Sequence, residues 1–115
     1  MYNLNEVSLY DKKKIKIYAD KSVYPSDLII GNEGEKGVNT LNFDIETNIP
    51  SMKWYLIFDN KAYPINNNKL VVNEAMTIKG AHICYVVGSD ARPGQKINEG
   101  TLYFRTNKII MRVGE

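Results

Sequence analysis

Alternation of apolar and polar residues with a period of two constrains this chain more than any other feature. In "TLNFDIE", Leu41, Phe43 and Ile45 share one face, and Asn42, Asp44 and Glu46 share the other. In "MKWYLIFD", Met52, Trp54, Leu56 and Phe58 fall together, with Lys53, Tyr55, Ile57 and Asp59 on a mixed opposite face. Successive side chains of a strand point to opposite sides, so each stretch reads as a strand with one buried face. A slip of one residue would expose Trp54 and Phe58, so the register is well specified.

The punctuation between such stretches is turn chemistry. Asp59-Asn60 tolerate left-handed backbone and predict a tight hairpin into an arm carrying Tyr63 and Ile65. Pro64 has no amide hydrogen, which assigns that arm to a sheet edge or to a short strand. Asn66 to Asn68 predict another turn, into a short strand around residues 70–72. "KIKIYAD" alternates Ile15 and Ile17 with lysines. "AHICYVVGSD" is apolar on both faces, Ile83, Tyr85 and Val87 against Cys84 and Val86, and reads as a central strand bracketed by Gly80 and Gly88. "ARPGQKINEG" is a loop with a Pro-Gly turn, and "GTLYFRTNKIIMRV" is two strands broken near Thr106-Asn107. "NEAMTIKG" is too short and too quickly ended by glycine for more than a turn. About seven to nine short strands spaced by turns predict an all-β chain, an antiparallel β-sandwich forming one domain over 1–115, with a small barrel as the competing closure.

Composition narrows the function classes. A chain of 115 residues is long enough for a single packed core. Its net charge of +2 and the three-residue cluster Lys12-Lys13-Lys14 are too little for a nucleic-acid footprint, which needs a broad basic face. No stretch approaches the about 20 apolar residues of a membrane-spanning helix. "MYNLNEVSLYDKKK" lacks the layout of a signal peptide, so synthesis in the cytoplasm without export by that route is expected. A single cysteine, Cys84, excludes an internal disulfide and reads as a buried thiol. Eight tyrosines suit half-buried strands and contact surfaces.

Reactive chemistry is sparse. His82 and Cys84, two apart on a strand, share a face, but a nucleophile pair also needs an orienting third group and a pocket. They are too few for a zinc site, which takes four ligands, or three and a water. Asp44 and Glu46 share a face and form either a carboxylate pair for glycoside cleavage or a solvated polar stripe, and the stripe is the preferred reading. "GNEGEKG" has three glycines without phosphate-binding spacing and carries two glutamates that would repel phosphate. No catalytic residue, metal ligand or cofactor is assigned. Binding residues are the remaining option. Tyr24, Leu28, Ile29 and Ile30 form a short apolar element that either packs across one end of the sandwich or docks a partner, and Tyr2, Leu4, Val7, Leu9 and Tyr10 pose the same choice.

The order of pieces carries a resemblance. A lysine- and isoleucine-rich first strand leads to "YPSDLIIGNEGEKGVNTLNFDI", then "KWYLIFDNKAYPI", then "NNKLVVNEAMTIKGAHICYVVG", and the chain ends on "GTLYFRTNKIIMRVGE". This resembles, over nearly the whole chain, the N-terminal β-sandwich domain of baseplate and tail proteins, baseplate upper proteins included, from phages and prophages of Gram-positive bacteria. The motifs that carry it are Gly31, Gly34 and Glu35 of the loop, Trp54 of the Lys-aromatic strand, and Gly80 before the central strand, all in structural roles. The resemblance implies an Ig-like sandwich, a non-enzymatic virion part, and contacts with other tail or baseplate proteins or with copies of itself in a homo-oligomer. Such proteins continue into a coiled coil or a receptor-binding region, whereas this sequence stops at "MRVGE", which leaves an excised domain, a truncated product and a small tail component all open. The alternative from another class is a carbohydrate-binding module for host surface glycans, which requires a row of exposed aromatic rings on one concave face.

Overall fold

The alternating stretches form strands where the pattern places them. The computed structural model describes residues 13–37, 39–47 and 49–114. Among these are ten strands: β1 (Lys13–Ile17), β2 (Val23–Tyr24), β3 (Asp27–Asn32), β4 (Thr40–Ile45), β5 (Lys53–Phe58), β6 (Lys61–Ile65), β7 (Lys69–Val71), β8 (Gly80–Ser89), β9 (Tyr103–Arg105) and β10 (Ile109–Gly114). They make a smaller sheet in the order β2-β1-β4-β7 and a larger one in the order β3-β10-β8-β5-β6, with β9 also paired to β8. Two separate sheets describe a sandwich rather than a closed barrel. The count passes the expected seven to nine because the segment from Val23 to Asn32 supplies two short strands.

The sheets are mixed, which corrects the expectation of purely antiparallel pairing. β1 runs parallel to β4, matching Ile15 to Phe43 and Ile17 to Ile45, and β3 runs parallel to β10. A period of two reports which face a residue takes and is silent on the direction of the neighbouring strand. The local hairpin is as read. Asp59 and Asn60 both take left-handed backbone, with φ of 49° and 68°, and β5 pairs antiparallel with β6. β6, with Pro64, is an edge of the larger sheet, and β8 lies inside it. "NEAMTIKG" contributes one short 3-10 turn, Glu74–Met76, which buries Met76.

One core lies between the sheets. Ile15, Ile17, Leu41 and Phe43 from the smaller sheet join Leu56, Phe58, Val86, Ile109 and Met111 from the larger one in a single buried cluster. Each such side chain contributes about 1.5–3 kcal/mol through removal of apolar surface from water. Trp54 belongs to the same cluster. Its ring lies against Gly88 and meets Phe104 edge-on, with centroids 5.6 Å apart.

The glycine-rich loop holds the exposed edge of the larger sheet. Asn39 donates from Nδ2 to the Ile30 carbonyl at 3.0 Å, and the Asn32 amide donates to Glu35 Oε1 at 2.5 Å. A Cβ on Gly31 would stand 2.9 Å from that Asn39 nitrogen and 3.0 Å from that Glu35 oxygen, so glycine is what lets both side chains close on β3. Gly34 makes the turn itself, with φ of +83°. These side chains occupy edge positions that would otherwise template pairing with another chain.

Candidate functional site

The apolar element singled out in the sequence divides by strand geometry. Tyr24, on the edge strand β2, is 71% exposed, and Ile29, on the edge strand β3, is 61% exposed. Ile30 is fully buried in the core and Leu28 packs against it. The four residues therefore do not act as one docking patch. Leu28 and Ile30 are corrected to core positions, because side chains two apart on β3 point inward together and Ile29 points out. The element is also a strand parallel to β10, not a cap across one end of the sandwich. Tyr2, Leu4, Val7, Leu9, Tyr10 and Lys12 lie outside the described residues.

Ile29 opens onto a larger surface, the outer face of the larger sheet. Here β3, β10, β8, β5 and β6 present Ile29, Ile110, Ile83, Ile57 and Ala62 on the side away from the core. Ile83 is 62% exposed, and Ile57 and Ile110 are half-buried. A sheet face turned to water is ordinarily polar. This one carries isoleucine on four adjoining strands. The charge beside Ile29, toward the β3 edge, is paired: Arg112 donates from Nε and from a terminal nitrogen to Asp27, at 2.8 and 2.9 Å. That guanidinium holds the Asp27 carboxyl below its ordinary range. The sequence signal was present in the mixed face of "MKWYLIFD" and in the second apolar face of "AHICYVVGSD". The central position of β8 accounts for its hydrogen bonding, while its second face stays open.

At one end this face is roofed. The segment from Asp90 to Leu102 folds back over β8, where the Ser89 hydroxyl donates to the Ile97 carbonyl and the Leu102 amide donates to Asp90 Oδ1 at 2.8 Å. A groove of about 530 Å³ remains between the roof and the sheet. Ile57, Val87 and Ile97 line its apolar part, and Lys96 and Arg105 stand at its sides. Arg105 lies over the ring of Tyr85, its guanidinium carbon 4.1 Å from the centroid.

His82 and Cys84 do share the inner face of β8, and a third group is present. His82 Nδ1 is 2.8 Å from Asp59 Oδ2, and the ring stacks on Phe58. The imidazole is nevertheless turned away from the thiol. Its Nε2 meets the Ile78 carbonyl at 2.5 Å, while Cys84 Sγ donates to the His82 carbonyl at 3.6 Å. Burial, reinforced by the Asp59 carboxylate, pushes the Cys84 thiol up to about 12. The arrangement ties the start of β8 to the Asp59-Asn60 turn and does not activate a nucleophile. Asp44 and Glu46 are answered separately, by Lys16 at 3.9 Å and by the Ala19 amide at 3.4 Å, as parts of a polar stripe. No group of three or more metal-ligating side chains occurs among the described residues.

The chain matches no protein-family model, no curated protein and no solved structure.

Proposed function

We propose that this chain is a non-enzymatic assembly module of a phage tail or baseplate, acting through protein–protein contacts on the outer face of its larger sheet. The observation that carries the reading is the exposed isoleucine surface of Ile29, Ile83, Ile57 and Ile110 on a sheet that already has a complete core on its other side. Contiguous exposed apolar surface of this kind marks interaction sites. The tail and baseplate assignment comes from the resemblance of the sequence blocks, and it places the protein in the virion, bound to copies of itself or to neighbouring tail proteins. An apolar patch flanked by Lys53 and the Asp27–Arg112 pair has the layout of a contact with a polar rim.

The glycan alternative draws less support. Trp54 is in the core, the Tyr85 ring is covered by Arg105, and the exposed Tyr24 and Tyr103 belong to different sheets, so these rings do not form a row. The test is capture of partners from a lysate in which prophages have been induced, with the tagged chain and its Ile83→Asp variant as parallel baits. Tail or baseplate proteins recovered by the parent and lost by the folded variant are the expected result. Recovery of cell-wall polysaccharide alone, or equal recovery by both baits, would reject the assignment.

A further inference from the structure

The two strand arginines of the outer face differ in one respect. Arg112 is neutralised by a bidentate contact with Asp27. Arg105 has no carboxylate within ion-pair distance among the described residues, and neither has Lys96 across the groove. The acids nearest in sequence are committed to backbone amides: Asp90 to Leu102, and Glu99 to Lys96 at 3.2 Å. The groove therefore combines two unanswered cations with an aliphatic floor.

We propose that this groove is a docking slot for an acidic peptide segment of a partner protein, one carrying Asp or Glu beside an aliphatic side chain. The proposal deepens the protein-contact reading and rests on it. Charge complementarity selects an anion. A guanidinium laid on an aromatic ring is held in place at little further entropic cost, and its planar N–H groups match a carboxylate in two parallel hydrogen bonds. The apolar lining selects what accompanies the anion: Ile57, Val87 and Ile97 accept an aliphatic group, and Gln95 and Asn98 beside them can bond the peptide backbone. The Tyr85 face, the natural platform for a sugar, is already taken by Arg105. A volume of about 530 Å³ suits a few residues of extended chain.

The experiment is selection of random peptides displayed on their own mRNA against the full chain, followed by amide chemical-shift mapping of the enriched peptides. The expected outcome is enrichment of Asp or Glu next to Leu, Ile or Val, with shifts at Gln95 to Asn98 and Tyr103 to Arg105. Arg105→Gln is expected to weaken binding by about tenfold or more, and added salt to weaken it further. Lys96→Gln is a second variant, distant from the β8–β9 ladder, in case the first perturbs the fold. Enrichment without acidic residues, affinity indifferent to both variants, or shifts confined to Ile29 and Ile83 would each overturn the slot. An acidic oligosaccharide that shifts the same residues where no peptide does would overturn it in favour of a glycan. Arg105→Gln used as capture bait separates the two levels: undiminished tail-protein capture by this variant once it has lost the peptide defeats the slot's role and leaves the open face, whereas peptide binding by the parent without any tail-protein capture defeats the broader reading alone.

Discussion

A methyl group added at Gly88 would stand 2.5 Å from Cζ3 of Trp54, with two more ring carbons at 2.7 Å. The ring cannot retreat, because Phe104 meets it edge-on. Gly88→Ala is therefore expected to cost about 1–3 kcal/mol, the range of overpacking in a filled core, and urea denaturation reads it directly. Gly31→Ala meets only the ends of Asn39 and Glu35, which can swing aside, so its effect is expected to be smaller and to appear as faster amide exchange along β3. Cys84 supplies a pH prediction. Its native thiol is raised from 9.0 to about 12 by burial and Asp59, so the unfolded chain releases its proton first as pH rises. Stability is fully present below about pH 9 and is lost progressively toward pH 12. Cys84→Ala should flatten that alkaline loss at some cost in packing, and denaturant midpoints across the pH series measure it. Much of this scale was legible beforehand. The alternation put Trp54 in the core, while its contact with Gly88 joins strands 34 positions apart, beyond the reach of a local pattern.

At the scale of elements, hairpins were easier to read than crossings. The Asp59-Asn60 turn is chemically marked and joins neighbouring strands, so β5 and β6 follow from one short window. The parallel pairs β1–β4 and β3–β10 join segments far apart in sequence, and no turn residue announces them. The run Leu28-Ile29-Ile30 hid its geometry for a related reason. Three apolar residues in succession contain no polar neighbour to reveal which way each points. The break near Thr106-Asn107 was visible, and its cause is specific. The Thr106 hydroxyl accepts the Val86 amide at 2.9 Å and donates to the Asn107 carbonyl at 2.9 Å, while its own amide donates to the Val86 carbonyl. The side chain thus takes over a ladder position where β9 gives way to β10. Thr106→Val keeps the shape and removes the bond. It leaves a buried Val86 amide without a partner, which should cost about 1–3 kcal/mol in chemical denaturation. Faster hydrogen exchange at Val86, with the Ile83–Ile110 and His82–Met111 pairings lower in the sheet unaffected, would locate the damage at this junction.

At the scale of the molecule, the two faces of the larger sheet share strands and have opposite duties. The inner face is committed to folding, through residues such as Leu56, Val86 and Met111, which are inaccessible to solvent. The outer face carries Ile29 and Ile83, whose removal takes little from the core. This division gives the last prediction. If the outer face binds a second copy in the native state alone, association adds to folding stability by mass action, and the melting temperature must rise with protein concentration. Ile83→Asp puts a charge into that contact. It should abolish the concentration dependence while leaving the melting temperature of the dilute protein within a few degrees of the parent, since surface changes away from the core shift stability by about 0.5 kcal/mol or less. Ile30→Asp is the opposing control. It buries an unpaired carboxylate beside Met111 and Val113 and should prevent folding at any concentration. Melting curves over a hundredfold range of concentration, paired with sedimentation velocity, distinguish the cases. A parent whose melting point is flat across that range and which sediments as a monomer throughout would show that the isoleucine face does not bind a second copy, and partner capture with the Ile83→Asp bait would then carry the whole weight of the assembly reading.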